Sequence, residues 1–404
     1  MVSGPQCLQP DAWTAPDTSR HRASLLLYPD CPARGKGGEG NISVHSQKDR
    51  RLKCDACGKT FAATKGTPFY RLHKAADLMV IVLTLLCHGC PVQAIVAAFG
   101  LDERTVADWQ AKGGQHCQQV HEHIVQQGRV DLQHVQADEI WVKMVGKRVW
   151  MAMAMAVPSR LWLGGVISVH RDGKLITSLV EKVRACASNL GILVCVDGLS
   201  SYVTAFLRVF RNPIWTGKVG RPRLVLEKTF MLGQVVKRYA QRRVVSVKQR
   251  VVRGTPEAIG AVLAATGGGK AINTAYIERL NATFRAALVV LVRRGRAIAH
   301  KETVLTAAMF LVGCAYNFVW LHESLRLPAP EGSNSRWLER TPAMAAGLTD
   351  HPWTMAELLS YQVPLPAWVA PKRRGRPPKH PPQPAWVPKR RGRPRRQPIP
   401  AVAA

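Results

Sequence analysis

Three acidic residues in this sequence have the types and setting for metal-ion chemistry. Asp138 lies in the stretch 134–142, Asp197 follows the apolar run 192–196, and Glu278 sits in the helical stretch 273–285. Carboxylates brought from separate elements to one sheet edge can hold two Mg²⁺ (or Mn²⁺) ions. Such ions take hard oxygen ligands and keep waters that phosphate oxygens can replace. Two of them about 4 Å apart stabilise the attacking and leaving oxygens of an in-line displacement at phosphorus. A site of that kind needs no covalent nucleophile, because positioning and charge neutralisation supply most of the catalysis. Each acid alone has a plainer reading: Asp138 as a salt-bridged strand residue, Asp197 as a turn or helix cap, Glu278 as a solvated helix acid. Glu139 competes with Asp138 for the inward position. Strand alternation puts them on opposite faces, Asp138 with Gln136 and Ile140, Glu139 with Ala137.

A second group has ligand chemistry of a different kind. Cys54-Asp-Ala-Cys57-Gly-Lys is a C-x-x-C turn that lets two thiolates reach one tetrahedral ion. Upstream, Cys31 stands alone, since Arg34 occupies the place where a second Cys is expected. The donors are then Cys31, Cys54 and Cys57, with His45 as the candidate fourth. Zn²⁺ here would be structural, because so small a ribbon has little core of its own. The alternative is a ribbon that has lost its metal and is held by its hairpin. Cys87, Cys186, Cys195 and Cys314 sit singly in apolar runs and read as buried, reduced thiols.

The elements that position these groups follow from charge and periodicity. The 404 residues carry 57 Lys+Arg against 26 Asp+Glu, a formal charge of +31. That excess points to a polyanionic partner, nucleic acid before an anionic membrane surface. No apolar leader stands near the N-terminus, so secretion is not expected. The run 304–321 approaches bilayer length, but it contains Thr306, Tyr316 and Asn317 and reads as a buried core helix. The expectation is a cytoplasmic, nucleoid-associated protein with no membrane attachment.

Residues 1–27 read as a disordered leader and 28–70 as a zinc-ribbon-like unit. From 71 to 127 the pattern is helical. A short helix over 92–99, a turn at Gly100-Leu101-Asp102 and a second helix over 104–112, with Asp102 as its N-cap, make a helix-turn-helix. The second helix of that motif enters the DNA major groove, with Arg104, Thr105, Asp108 and Lys112 on its reading face. An ordinary αα-hairpin gives the same pattern. From 131 the period becomes strand-like. Strands over 134–142, 148–157 and 161–169 form an antiparallel meander. They are followed by a helix over 173–189, a buried strand over 192–196 and a helix over 200–210. A βαβ passage makes that buried strand parallel. Asp197 then lies at its C-terminal end, the usual functional crevice of an open α/β sheet. Residues 211–253 are strongly basic. In 273–285, Glu278, Asn281 and Arg285 share one helix face, while Ile277, Leu280 and Phe284 share another that packs on the sheet. Asn281 and Arg285 are expected as DNA contacts.

The fold expected is α/β, a mixed sheet with helices over 128–330, carrying a basic insertion near 211–270. A C-terminal extension covers 331–363 and a disordered tail 364–404. The tail repeats an Arg-Gly-Arg-Pro core, with Arg374 and Arg376 in the first copy and Arg391 and Arg393 in the second. Such AT-hook-like cores lay an extended backbone in a narrow minor groove; a generic polybasic tail is the simpler alternative.

As an ordered set these motifs resemble the DDE transposases of bacterial insertion sequences that carry an N-terminal zinc ribbon and helix-turn-helix. The matching residues are Cys54-x-x-Cys57-Gly-Lys-Thr-Phe61, Gly66-Thr-Pro-Phe-Tyr-Arg-Leu72, Ala137-Asp138-Glu139, Asp197-Gly198 with Tyr202, and Ile277-Glu278-Arg279-x-Asn281-x-x-x-Arg285. Further on come Tyr316-Asn-Phe318, His322-Glu-Ser-Leu325 and Thr341-Pro-Ala-Met-Ala-Ala-Gly-Leu348. The resemblance covers roughly 28–360. It implies a ribonuclease-H-like catalytic domain with Asp138, Asp197 and Glu278 as the acidic triad on two Mg²⁺ ions. It also implies cleavage and strand transfer at element ends, double-stranded DNA (terminal inverted repeats and target) as partner, and a homo-oligomer. Arg34 and the AT-hook-like tail depart from the family pattern. A transposase-derived regulator without catalysis, and a structure-selective nuclease on the same fold, are the competing readings.

Overall fold

A computed structural model describes residues 28–365, apart from 29–30, 32, 38, 216, 218–219, 242, 293–296, 331 and 333–334. The expected leader and the tail from 366 on, with Arg374, Arg376, Arg391 and Arg393, lie outside the described residues.

The first element of the described residues is a three-stranded antiparallel sheet, β1 (Ile42–Ser46), β2 (Arg51–Cys54) and β3 (Thr60–Ala62). It closes over a small core of Cys31, Ala33, Leu52, Cys54 and Phe61. Three helices follow: α1 (Ala76–Cys87), α2 (Val92–Phe99) and α3 (Glu103–His121). Gly100 ends α2 in the left-handed conformation, φ +60°, which a glycine adopts without penalty. The Asp102 carboxylate then accepts the Arg104 N–H at 2.8 Å and caps α3, as expected.

The main sheet has six strands in the order β11-β10-β7-β4-β5-β6. β4 (His134–Met144), β5 (Lys147–Ala156) and β6 (Trp162–Ser168) are the expected antiparallel meander. After α4 (Gly173–Cys186), β7 (Leu193–Asp197) enters parallel to β4. Next come α5 (Ser200–Val209) and a small hairpin of β8 (Arg211–Ile214) and β9 (Arg223–Leu226). β10 (Met231–Ala240) adds in parallel beside β7, and β11 (Arg243–Arg253) folds back on β10. β5 is buried from Met151 to Ala156, which explains its continuous apolar run: a central strand covered on both faces shows no alternation. Alternate side chains of β4 show the two layers. Gln136 reaches α7 (Ala275–Ala287), whereas Glu139 reaches Tyr202 of α5. α6 (Pro256–Ala265) lies on the α7 side, where Ile259 and Leu263 pack on Leu193 and Cys195 of β7.

The basic segment 211–253 is therefore partly integral to the sheet, since β10 and β11 extend it. The helix-turn-helix segment is also not set apart by its packing. One continuous core runs from Met79 to Leu359, with no break at the expected boundary near 127. α3 runs past its expected end at Lys112 to His121 because Gly113 and Gly114 belong to the helix interior. Both are small because α3 crosses α8 (Glu302–Cys314) closely. A Cβ on Gly114 would lie 2.2 Å from the Ala307 carbonyl oxygen. Among the described residues one helix, Glu302–Val319, is long and apolar enough to cross a membrane, and it is packed in this core, as expected for 304–321. Gly114→Ala is expected to lower the midpoint of a single thermal transition, with a cost of about 1–3 kcal/mol for overpacking a backbone contact. An unchanged melting curve by circular dichroism would show that α3 and α8 do not meet this closely.

Candidate functional site

The parallel register sets the site. β4 and β7 pair from His134↔Leu193 to Ala137↔Val196, so Asp138 and Asp197 occupy the next rung. Val235 of β10 pairs with Asp197 on the other side. Side chains on one rung of adjacent strands point to the same face. β7 stops at Asp197, whereas β4 continues to Met144 beside β5. The two aspartates therefore stand at the open C-terminal end of a parallel strand.

Glu278 arrives on α7, which β4 holds in place. The Gln136 side-chain oxygen accepts the Tyr276 and Ile277 N–H groups at 3.0 and 3.1 Å, and its amide donates to the Asn273 carbonyl at 2.9 Å. These bonds satisfy first-turn N–H groups of the helix that have no partner within it. One turn further along α7, Asn281 Nδ2 donates to Asp138 Oδ2 at 2.8 Å. Asn281 is 2% exposed. Expected as a DNA contact, it packs against β4, orients Asp138 and also forms part of the cavity wall. Glu278 accepts from Thr274 Oγ1 at 3.0 Å and Lys237 Nζ at 2.7 Å. Asp138, Asp197, Glu278 and Arg285 all line one open cavity of about 830 Å³.

The closest group of carboxylates is not the expected one. Oxygens of Asp138, Glu139 and Asp197 lie within 4.8 Å of one another, and Glu278 stands outside that group. Alternation does send Glu139 to the opposite face, where Tyr202 donates its hydroxyl proton to Oε2 at 2.7 Å and Arg171 pairs with Oε1. At the open end of β7, however, the two faces of the sheet meet. The Arg171 guanidinium spans the junction and also reaches Asp197 Oδ2 at 3.4 Å. Burial, followed by the like charges of Glu139, Asp197 and Glu278, pushes the Asp138 carboxyl up to about 7. Burial and Asp197 also raise Glu139, against the opposing pull of Tyr202 and Arg171.

The donor set fits a hard divalent cation. With Mg²⁺–oxygen bonds near 2.1 Å, neighbouring ligands of an octahedron lie about 3 Å apart and opposite ones about 4 Å. The 4.8 Å grouping is close to that spacing. Both Glu139 oxygens are already engaged, so Asp138 and Asp197 would hold an ion, with Glu278 facing them across the cavity.

In the ribbon, Cys31, Cys54 and Cys57 converge within 4.8 Å, and the Cys31 and Cys54 sulfurs are 3.8 Å apart. Metal–sulfur bonds of about 2.3 Å give a tetrahedron with an edge of about 3.8 Å, so three thiolates fit Zn²⁺ with one position left over. His45 does not fill it. β1 is an edge strand, exposed from Ser43 to His45, and His45 stands outside the group. Burial pushes the Cys31 thiol up to about 11, while the backbone N–H of Lys59 lowers Cys57. On α3, Arg104 and Lys112 are exposed and Thr105 is half-buried. Lys112 pairs with Asp108 at 2.7 Å, so that face is a mixed-charge stripe.

Sequence reasoning missed Arg171, Lys237 and the bracing role of Gln136. Arg171 lies in the link between β6 and α4, with no spacing that ties it to Glu139. What the fold and site define is an α/β protein with a mixed six-stranded sheet, an acidic group at the open end of its parallel strand and a three-cysteine group in its ribbon. No protein-family model matches the chain, and a search of curated proteins finds no match.

The raised Asp138 carboxyl gives a signed expectation. Its folded state binds the proton more tightly than the unfolded chain, whose value is near 3.8. Its contribution to stability is therefore lost as pH rises from about 4 through about 7. Without divalent ions, Asp138→Asn should melt above the parent at pH 8, and the gap should close towards pH 4. Parallel pH profiles for the two proteins would contradict this placement of Asp138.

Proposed function

We propose that the chain is a DDE transposase of the insertion-sequence type. Its six-stranded sheet would be a ribonuclease-H-like catalytic core acting on double-stranded DNA at terminal inverted repeats and at target sites. The observation that carries this reading is the single rung shared by Asp138 and Asp197, with Glu278 across the same cavity on α7. The strand order supports it. An antiparallel meander of three strands, followed by two parallel strands on the far side of the first, brings acids from β4 and β7 to one end, where the later helix α7 adds Glu278.

In this reading Asp138, Asp197 and Glu278 hold two Mg²⁺ or Mn²⁺ ions. When bound, the ions would supply charge neutralisation at phosphorus and a more acidic attacking water or hydroxyl. The chain does the rest. Asn281 fixes the Asp138 carboxylate, Tyr202 and Arg171 hold Glu139 away from ligation, and Arg285 lines the cavity where phosphate oxygens would enter. Arg104, Thr105 and Lys112 on α3 serve DNA positioning, and Zn²⁺ on Cys31, Cys54 and Cys57 would stiffen the ribbon. A homo-oligomer would bring two ends together. One observation favours the regulator reading: Glu278 is paired with Lys237, and Asp197 stands within reach of Arg171, so both acids have cationic partners from the chain itself.

The test is to incubate the protein with Mg²⁺ or Mn²⁺ and DNA bearing the inverted repeats that flank its own gene. Terminal nicking and strand joining are expected, abolished in Asp138→Ala with DNA binding retained. Binding without cleavage in either metal would replace the transposase by the regulator, and cutting of branched DNA without end preference by a nuclease.

A further inference from the structure

The β10–β11 hairpin is longer than the sheet it joins. β10 pairs with β7 only from Met231 to Val235. From Val236 to Ala240, its strand partner among the described residues is β11 alone. This distal part starts at the cavity, which Val236 and Lys237 line. Residues 231–253 contain seven basic and no acidic side chains. The register sorts them. Gln234 faces Arg250, Val236 faces Lys248, and Arg238 faces Ser246, so alternation puts Arg238, Lys248 and Arg250 on one face of the ribbon. All three are exposed. The other face carries Lys237 opposite Val247, which is 55% exposed.

An open edge strand with exposed valines normally invites another β-strand. Here a second copy paired edge to edge would set Arg and Lys against Arg and Lys, and like charges opposite one another are destabilising. The charge pattern instead complements a polyanion, and the strand repeat spaces Lys248 and Arg250 about 6.8 Å apart. The cations stand beside the cavity without lining it, since Arg238, Lys248 and Arg250 are absent from its wall. Their use is therefore to hold a partner rather than to act on it.

We infer that the distal β10–β11 hairpin is an arm that grips the backbone of duplex DNA beside the acidic cavity, through Arg238, Lys248 and Arg250 and without regard to sequence. The inference shares its DNA partner with the proposed function but needs no catalysis.

The experiment measures binding of the full-length chain to a short duplex of random sequence over a range of salt concentrations. Each phosphate contact contributes about 0.9 to the slope of log K against log salt. The triple substitution Arg238→Ala, Lys248→Ala, Arg250→Ala should therefore lower the slope by about 2–3 and weaken binding equally on all sequences. Val247→Ser, on the other face, should leave both unchanged, and thermal melting should show both variants folded. An unchanged slope in the triple variant overturns the inference. So does an equal loss in Val247→Ser, which would mean that damage to the hairpin, not its charge, lowers affinity. A parent that binds duplex but never cleaves it leaves the arm intact and removes the transposase. A parent that cleaves its ends, with a slope indifferent to the triple substitution, removes only the arm.

Discussion

The site depends on carboxylates being held closer together than their charges favour. Asp138, Glu139 and Asp197 meet where β7 stops, and Asp138 is largely withdrawn from water. Crowded, desolvated carboxylates disfavour their own ionisation, so the surrounding structure must hold them there against repulsion. It does so with neutral donors and a cation from three places: Asn281 from α7, Tyr202 from α5 and Arg171 from the link into α4, while Lys237 of β10 pairs with Glu278 across the cavity.

That dependence explains features that have no meaning one at a time. Gln136, buried two residues before Asp138, is an expensive side chain to place in a sheet unless its amide is fully used. It is used as the brace for the first turn of α7, and that brace sets how far Asn281 and Glu278 stand from β4. The helical segment adds rigidity from behind, because α3 and α8 cross at glycine distance and share the core that backs the sheet.

Much of this was legible in the sequence. Period-2 runs gave the meander, and the change to a helical period after 173 and the apolar run before Asp197 gave the parallel crossover. Asp102 gave the cap of α3. Each is a local signal whose physical cause lies within a few residues. The C-x-x-C turn likewise located Cys54 and Cys57, and Cys31 joins them. The failures are of another kind. His45 was placed by residue type, and type does not report position: it stands on a wet edge strand, outside the cysteine group. The end expected for α3 at Lys112 falls short of His121, because Gly113 and Gly114 stay inside the helix where a partner helix far along the chain crosses it. Glu139 was assigned to the correct face, yet alternation describes a continuous sheet and loses its force where a neighbouring strand ends.

The cations around the acids also divide them by role. Glu139 is buried and doubly held, by a short phenol hydrogen bond and a guanidinium, so releasing it would leave a buried charge without partners. It is fixed in place. Asp197 is about a third exposed, and its contact with Arg171 at 3.4 Å is at the outer limit of a useful hydrogen bond. Glu278 is half exposed and its Lys237 partner is a flexible ammonium at the cavity wall. These two carboxylates can exchange a side-chain cation for another cation at little cost, whereas Glu139 cannot. Under the proposed function, Asp197 and Glu278 would be free to turn to a divalent ion, and Asp138, held by Asn281, would join Asp197 on it. The fourth carboxylate, Glu139, keeps Arg171 close enough to steady Asp197.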